Sequence, residues 1–86
     1  MIYYVYVLFS HEFNRYYIGQ SHSLKQRLFQ HNNKKVKSTA AFCPWRLVGY
    51  VEKSTRSESM ILERKLKNLN RKDLQKFVKK YFPDSL

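Results

Sequence analysis

Eighty-six residues form one domain, near the lower limit of what buries a self-sufficient core, and leave no room for a second. Seventeen Lys and Arg against six Asp and Glu give a net charge of +11, which points to a polyanionic partner. A content of 43% hydrophobic and 16% aromatic residues argues against wholesale disorder, and the single cysteine, Cys43, excludes an intramolecular disulfide and a cysteine-rich zinc site.

The basic residues are spread among aromatics and loops instead of lining one long amphipathic helix, so nucleic acid is favoured over a membrane surface. No long uncharged run would span a bilayer, and "MIYYVYVLFS" lacks the basic start and small-residue cleavage site of a signal peptide. The expectation is a cytoplasmic domain over residues 1–86 that folds alone or as a dimer.

Residues 2–10, "IYYVYVLFS", are dense in Tyr, Val, Ile and Phe, which favours a strand. Ile2, Tyr4, Tyr6 and Leu8 alternate with Tyr3, Val5, Val7 and Phe9, so both faces are apolar and the strand belongs at the centre of a sheet. "HEFN" at 11–14 reads as a connection and "RYYIGQ" as a second strand, which makes a hairpin. With that loop, Ser10 pairs with Arg15 and the numbers of each facing pair add to 25, setting Tyr6 opposite Gly19 and Leu8 opposite Tyr17. Tyr6 and Tyr17 then share one face, and Tyr16 points to the other.

Ser23 followed by Gln26 has the form of a capping box, and Leu24 with Leu28 begins an apolar stripe, so a helix is expected from about 23 to 32. Arg27 and His31 lie on one side of it, next to that stripe. "NNKKVKSTAAFCP" reads as a loop, and "WRLVGYVE" as a third strand with Pro44 just outside. Thr55 and Glu58 form a second capping box, ahead of a helix from about 56 to 69 whose buried face carries Leu62, Leu66 and Leu69. Glu63 lies roughly 100° round from Leu62, at the border of that face. Asn70 with Asp73 caps a last helix with Leu74, Phe77, Val78 and Tyr81 on its apolar side, ended by Pro83. The order is β-β-α-β-α-α, an α/β (α+β) fold on a small antiparallel sheet.

Several chemistries are excluded. The two glycines, Gly19 and Gly49, are too far apart for a phosphate-cradling loop, and no serine sits in a nucleophile elbow. His11, His22 and His31 lack metal-cluster spacing, and no close pair of carboxylates suggests a glycosidase or a two-metal site. What is left is tyrosine, arginine and isolated glutamates.

That residue set resembles a known family. "YVY" at Tyr4, Val5 and Tyr6, "YIG" at Tyr17, Ile18 and Gly19, an arginine ten residues beyond Tyr17, and "ERKLK" beginning at Glu63 are similar to the GIY-YIG nuclease superfamily, most of all to its small single-module members. The resemblance covers about residues 3 to 70, including "PWRLVGYVE" as the third-strand region. It implies a three-stranded antiparallel sheet flanked by helices that hydrolyses DNA phosphodiester bonds with one divalent ion, Mg²⁺ or Mn²⁺, and DNA repair or recombination as a setting. By the resemblance Tyr6, Tyr17 and Arg27 are catalytic, Gly19 closes the second motif, Glu63 binds the metal, and His31 sits where several members carry an assisting histidine or tyrosine. Departures are Tyr4 and Val5 for glycine and isoleucine, and Gln20 where some members carry lysine.

The chemistry suits the residues. A phosphodiester gains negative charge on its oxygens as water attacks, so a guanidinium at Arg27 and a cation held by Glu63 would stabilise the transition state. Nearby positive charge favours the phenolate form of a tyrosine, which makes Tyr17 the first choice for deprotonating water and Tyr6 the orienting partner, with the two roles open to exchange. Lys34, Lys35, Lys37, Arg64 and Lys67, with Lys65, Arg71 and Lys72, are candidate phosphate contacts. Few features promise base readout, so structure-selective or weakly selective cutting is expected, of single-stranded or branched DNA, with exposed aromatics for stacking. The competing reading is a non-catalytic nucleic-acid-binding protein on the same scaffold; a basic ribosomal partner is a remoter third.

Overall fold

The computed structural model describes residues 1–85. Three strands, β1 (Tyr3–Ser10), β2 (Arg15–Ser21) and β3 (Arg46–Lys53), form one antiparallel sheet in the order β2-β1-β3. Three helices, α1 (Leu24–Asn32), α2 (Arg56–Lys67) and α3 (Arg71–Tyr81), complete the expected β-β-α-β-α-α order. Short 3-10 turns at Ala40–Phe42 and Pro83–Ser85 are additions; the first lies inside the segment read as a loop.

The central place of β1 follows from its two apolar faces. Val5 and Val7 point into one core with Ile18, Val48, Leu66, Leu74 and Val78, covered by α2 and α3. Tyr6 and Leu8 point the other way, with Trp45, Tyr17, Leu24, Leu28 and Leu47, under α1. Each fully buried aliphatic side chain contributes about 1.5–3 kcal/mol, so two faces of modest size suffice for a chain this short. The hairpin register is the expected one, with Tyr6 facing Gly19 and Leu8 facing Tyr17. Its turn closes through Asn14, whose φ of 54° is a conformation that asparagine tolerates. Arg71 at the start of α3 ties that turn down by donating to the Asn14 carbonyl over 2.9 Å.

Against β3 the register shifts between Val7 and Leu8, which face Gly49 and Leu47. The extra residue, Val48, turns into the α2/α3 core. Helix ends follow the sequence signals with one exception. Thr55 accepts from the Glu58 amide and Asn70 from the Asp73 amide, as expected of caps. Ser23 is at the N-cap of α1, but its side chain makes no cap bond; the hydroxyl of Ser21 instead accepts from the Ser23 amide at 3.0 Å. Tyr81 also departs from expectation. It is exposed in the last turn of α3 and packs tilted against Phe77, with ring centroids 4.6 Å apart.

Candidate active site

Tyr6 and Tyr17 lie on the same sheet face, with ring centroids 6.4 Å apart, and Tyr16 packs against Phe9 in the opposite core. Gly19, on the Tyr17 side of the facing strand, is there for close approach. A Cβ at this position would lie 2.5 Å from the Tyr6 hydroxyl oxygen and 3.1 Å from the Tyr17 ring. Only a residue without a side chain lets the Tyr6 ring lean across β2 toward the sheet edge.

α1 brings Arg27 and His31 onto this face. His31 is fully buried, its Nε2 is 2.9 Å from the Tyr6 hydroxyl, and its Nδ1 is 2.8 Å from the Thr39 hydroxyl. The network assigns the hydrogens. Thr39 donates to the Val36 carbonyl at 3.3 Å, so its oxygen is free to accept from a protonated His31 Nδ1. Nε2 then carries the lone pair and accepts the Tyr6 hydrogen. The Arg27 guanidinium, which can only donate, acts on the same phenol oxygen from the other side. Burial holds His31 down to about 4, and the Arg27 charge pushes it the same way, so the imidazole is neutral at pH 7. Burial also raises the Tyr6 phenol above its ordinary value; the Arg27 hydrogen bond and charge oppose this, while Tyr17 and Glu63 reinforce it.

Glu63 arrives from the far side of the sheet. Ser59 of α2 bonds the Gln20 side chain at 3.2 Å, and the Lys67 ammonium lies 5.9 Å from the Tyr17 ring centre, so α2 runs antiparallel along the edge strand β2. Glu63 lies one helical turn from each, between those two points of contact. Its side chain is 23% exposed, its charge is felt at Tyr6, and its Oε1 is 3.4 Å from Lys67 Nζ. The border position expected for Glu63 is what carries it round the edge of β2.

Tyr6, Tyr17, Gly19, Arg27 and His31 therefore gather on one face, with Glu63 near enough for its charge to act on Tyr6 and Lys67 between Glu63 and the Tyr17 ring. Lys34, Lys35 and Lys37 stand exposed on the segment after α1, and Arg64 is exposed on α2. Residues not singled out from the sequence complete the site. Thr39 orients His31, and its carbonyl accepts from the Trp45 indole at 3.0 Å. Trp45 in turn packs against Tyr17, with ring centroids 6.2 Å apart. Asn32 holds the Trp45 backbone from both sides, accepting from its amide and donating to its carbonyl at 3.0 Å. Gln30 accepts from Arg27 at 2.9 Å, a pairing three residues apart that helical spacing would have revealed. Thr39 carried no such signal, since it lies in an aperiodic segment.

Among the described residues no group of three or more His, Cys, Asp and Glu forms a metal cluster. One half-buried carboxylate that already attracts an ammonium is a donor set for a hard, oxygen-preferring cation that keeps most of its water, and in that sense it fits Mg²⁺ or Mn²⁺. Among the described residues no helix is long and apolar enough to cross a membrane.

Comparison with known proteins agrees with the fold. The solution NMR structure of the UPF0213 protein BH0048 from Bacillus halodurans is similar over 95% of this chain and 87% of its own, at 28% identity and a TM-score of 0.64. Comparison with curated proteins finds no match. The family model of the GIY-YIG catalytic domain matches residues 2–80, nearly the whole chain and every residue of the cluster, so the chain belongs to the GIY-YIG family.

Proposed function

We propose that this protein is a divalent-cation-dependent DNA endonuclease that cuts with structural or weak sequence preference. The observation that carries the reading is that Glu63 of α2 lies near enough for its charge to act on Tyr6, which shares a sheet face with Tyr17 and has Arg27 at its hydroxyl. A domain that bound nucleic acid by charge alone would have no use for a carboxylate there, since it repels phosphate.

In this reading Glu63 holds the cation, which when bound supplies charge to the phosphate oxygens and lowers the cost of forming hydroxide. Arg27, fixed by Gln30, directs its fork at a non-bridging oxygen and stabilises the charge that grows there. The proton bookkeeping supports exchanging the roles expected for the tyrosines. Tyr6 has an acceptor for its own hydrogen in His31 Nε2 and a guanidinium beside its oxygen, so a proton taken from an attacking water would be matched by one passed to His31, although burial raises the phenol and works against a standing phenolate. Burial is the main cause that keeps His31 neutral, and a phosphate seated on Arg27 would offset only the smaller one, the guanidinium charge. Tyr17, partly exposed and between Trp45 and Lys67, orients the phosphate.

The test is incubation of labelled single-stranded, duplex and branched DNA with Mg²⁺ or Mn²⁺. The parent is expected to cut, Glu63→Ala to lose at least about 100-fold in rate while still binding DNA, and Arg27→Ala to lose about 100-fold or more. Binding without cleavage by the parent in either metal would replace this reading with the non-catalytic one.

A further inference from the structure

On the same sheet face, but on the other flank of α1, lies a cleft that the cutting site does not use. Its floor is Tyr4, Leu47 and Tyr50, and its wall is His22, Ser23, Leu24, Lys25 and Leu28. Its volume of about 490 Å³ falls within the range of about 300–1,000 Å³ typical of small-ligand sites. Tyr4 precedes Tyr6 by two residues, and Tyr50 is the facing residue of Tyr6 in β3, so the floor continues the surface on which the tyrosine cluster stands. Positions 25 and 27 differ by about 200° around a helix, which puts Lys25 on the flank of this cleft and Arg27 on the flank of the cluster.

We propose that this cleft holds an unpaired nucleobase of the strand being cut, a proposal that rests on nucleic acid being the partner. Tyr4 and Tyr50 meet edge to face, with centroids 5.5 Å apart and planes at 77°. That packing fixes the rings yet leaves Tyr50 45% exposed, so a ring face is held open instead of collapsing onto the sheet. The leucines supply an apolar wall for a base, while Lys25 and His22 are suited to the adjoining phosphate. No lining side chain is acidic, which matches an anionic strand and disfavours a basic peptide. A paired base has both faces stacked and its edge occupied, so only an unpaired one enters. The cleft thus deepens the structural preference proposed above: one flank of α1 receives the phosphate to be cut, and the other captures a base that duplex DNA cannot offer.

The experiment measures binding in EDTA, where cutting is off, using a single strand containing 2-aminopurine and a duplex of equal length. The single strand is expected to bind with altered 2-aminopurine fluorescence. Tyr50→Ala should weaken it about 5- to 100-fold and abolish the fluorescence change, Tyr50→Phe should preserve both, and duplex affinity should stay within about two-fold for each. Lys25→Ala should lower the salt slope of single-strand binding by about one. Equal losses for single strand and duplex, or no loss for Tyr50→Ala, would overturn the proposal, as would a free mononucleotide binding as tightly as the strand. A parent that binds in this pattern but never cuts would sink the nuclease reading and leave the cleft standing.

Discussion

The Tyr6 hydroxyl and His31 Nε2 are 2.9 Å apart and 25 residues apart in sequence, and their hydrogen bond joins the central strand to α1 inside the core. Behind it, Thr39 holds the other imidazole nitrogen. A buried polar chain of this kind imposes one protonation pattern on its members, because each hydrogen has only one acceptor that leaves nothing unpaired.

That constraint makes Thr39 testable. Thr39→Val keeps the shape of the side chain and removes its oxygen, leaving His31 Nδ1 without its acceptor. In ¹⁵N NMR of the imidazole, the parent should show the single Nδ1-protonated tautomer, and Thr39→Val a mixture or the opposite one. The lost partner should cost about 1–3 kcal/mol in urea unfolding. Thr39→Ser should restore the parent signature. An unchanged tautomer in Thr39→Val would mean that Thr39 does not orient His31.

Stability should fall with acid through His31. Its native value of about 4 lies below the ordinary 6.5, so between these values the unfolded chain binds more protons, and unfolding becomes easier as pH drops. The contribution is fully present above about pH 7 and is lost as pH falls through 6.5 toward 4. Between pH 7 and 5 the loss is about 2 kcal/mol. Arg27, Tyr6 and Tyr17 are the charged and titratable groups around the ring. Urea titrations of the parent and of His31→Gln at both pH values should show a slope in the parent that is flatter by this amount in the variant.

Gly19→Ala should damage the site more than its size suggests. The new methyl would lie 2.5 Å from the Tyr6 oxygen and 2.6 Å from its ring carbon Cζ, so the ring must move and the His31 bond must break or stretch. Overpacking of this kind costs about 1–3 kcal/mol. Cleavage should drop by at least about 100-fold while the far-UV circular dichroism stays that of the parent. Full activity in Gly19→Ala would show that Tyr6 need not lean over β2.

Lys67→Ala separates charge from stability. Lys67 is 49% exposed and pairs with Glu63 at 3.4 Å across one helical turn, a contact worth only a few tenths of a kcal/mol. The melting temperature should therefore shift by no more than about 2 °C. The salt slope of DNA binding should fall by about one, and the concentration of Mg²⁺ needed for half-maximal cutting should decrease because the ammonium no longer competes for the carboxylate. A higher Mg²⁺ requirement would assign Lys67 a supporting role in cation binding instead.

Much of this arrangement was legible beforehand because it depends on short-range periodicity. Alternation over Tyr3 to Phe9 made β1 central, the four-residue loop set every pair of the hairpin, and Thr55 and Asn70 marked two helix starts by local hydrogen bonding. Ser23 misled because a capping pattern states only which donors and acceptors are available; its side chain makes no cap bond, and its own amide is taken by the Ser21 hydroxyl. The resemblance to the family, carried by the spacing of its motifs, singled out Tyr6, Tyr17, Gly19, Arg27 and Glu63 as site candidates, and the helix face shared with Arg27 added His31.

The sequence alone determined which residues share a face, since that follows from the two-residue period of a strand and the 3.6-residue turn of a helix. Tertiary structure decided which faces meet. α2 covers the opposite side of the sheet from the tyrosines through Leu62 and Leu66, and Glu63 comes near them because the helix lies along the β2 edge, where Ser59 bonds Gln20 and Lys67 reaches the Tyr17 ring. Thr39, Trp45 and Asn32 close the site through contacts between segments with no shared period. Such contacts depend on how two surfaces dock, and nothing in the local pattern of either segment encodes them.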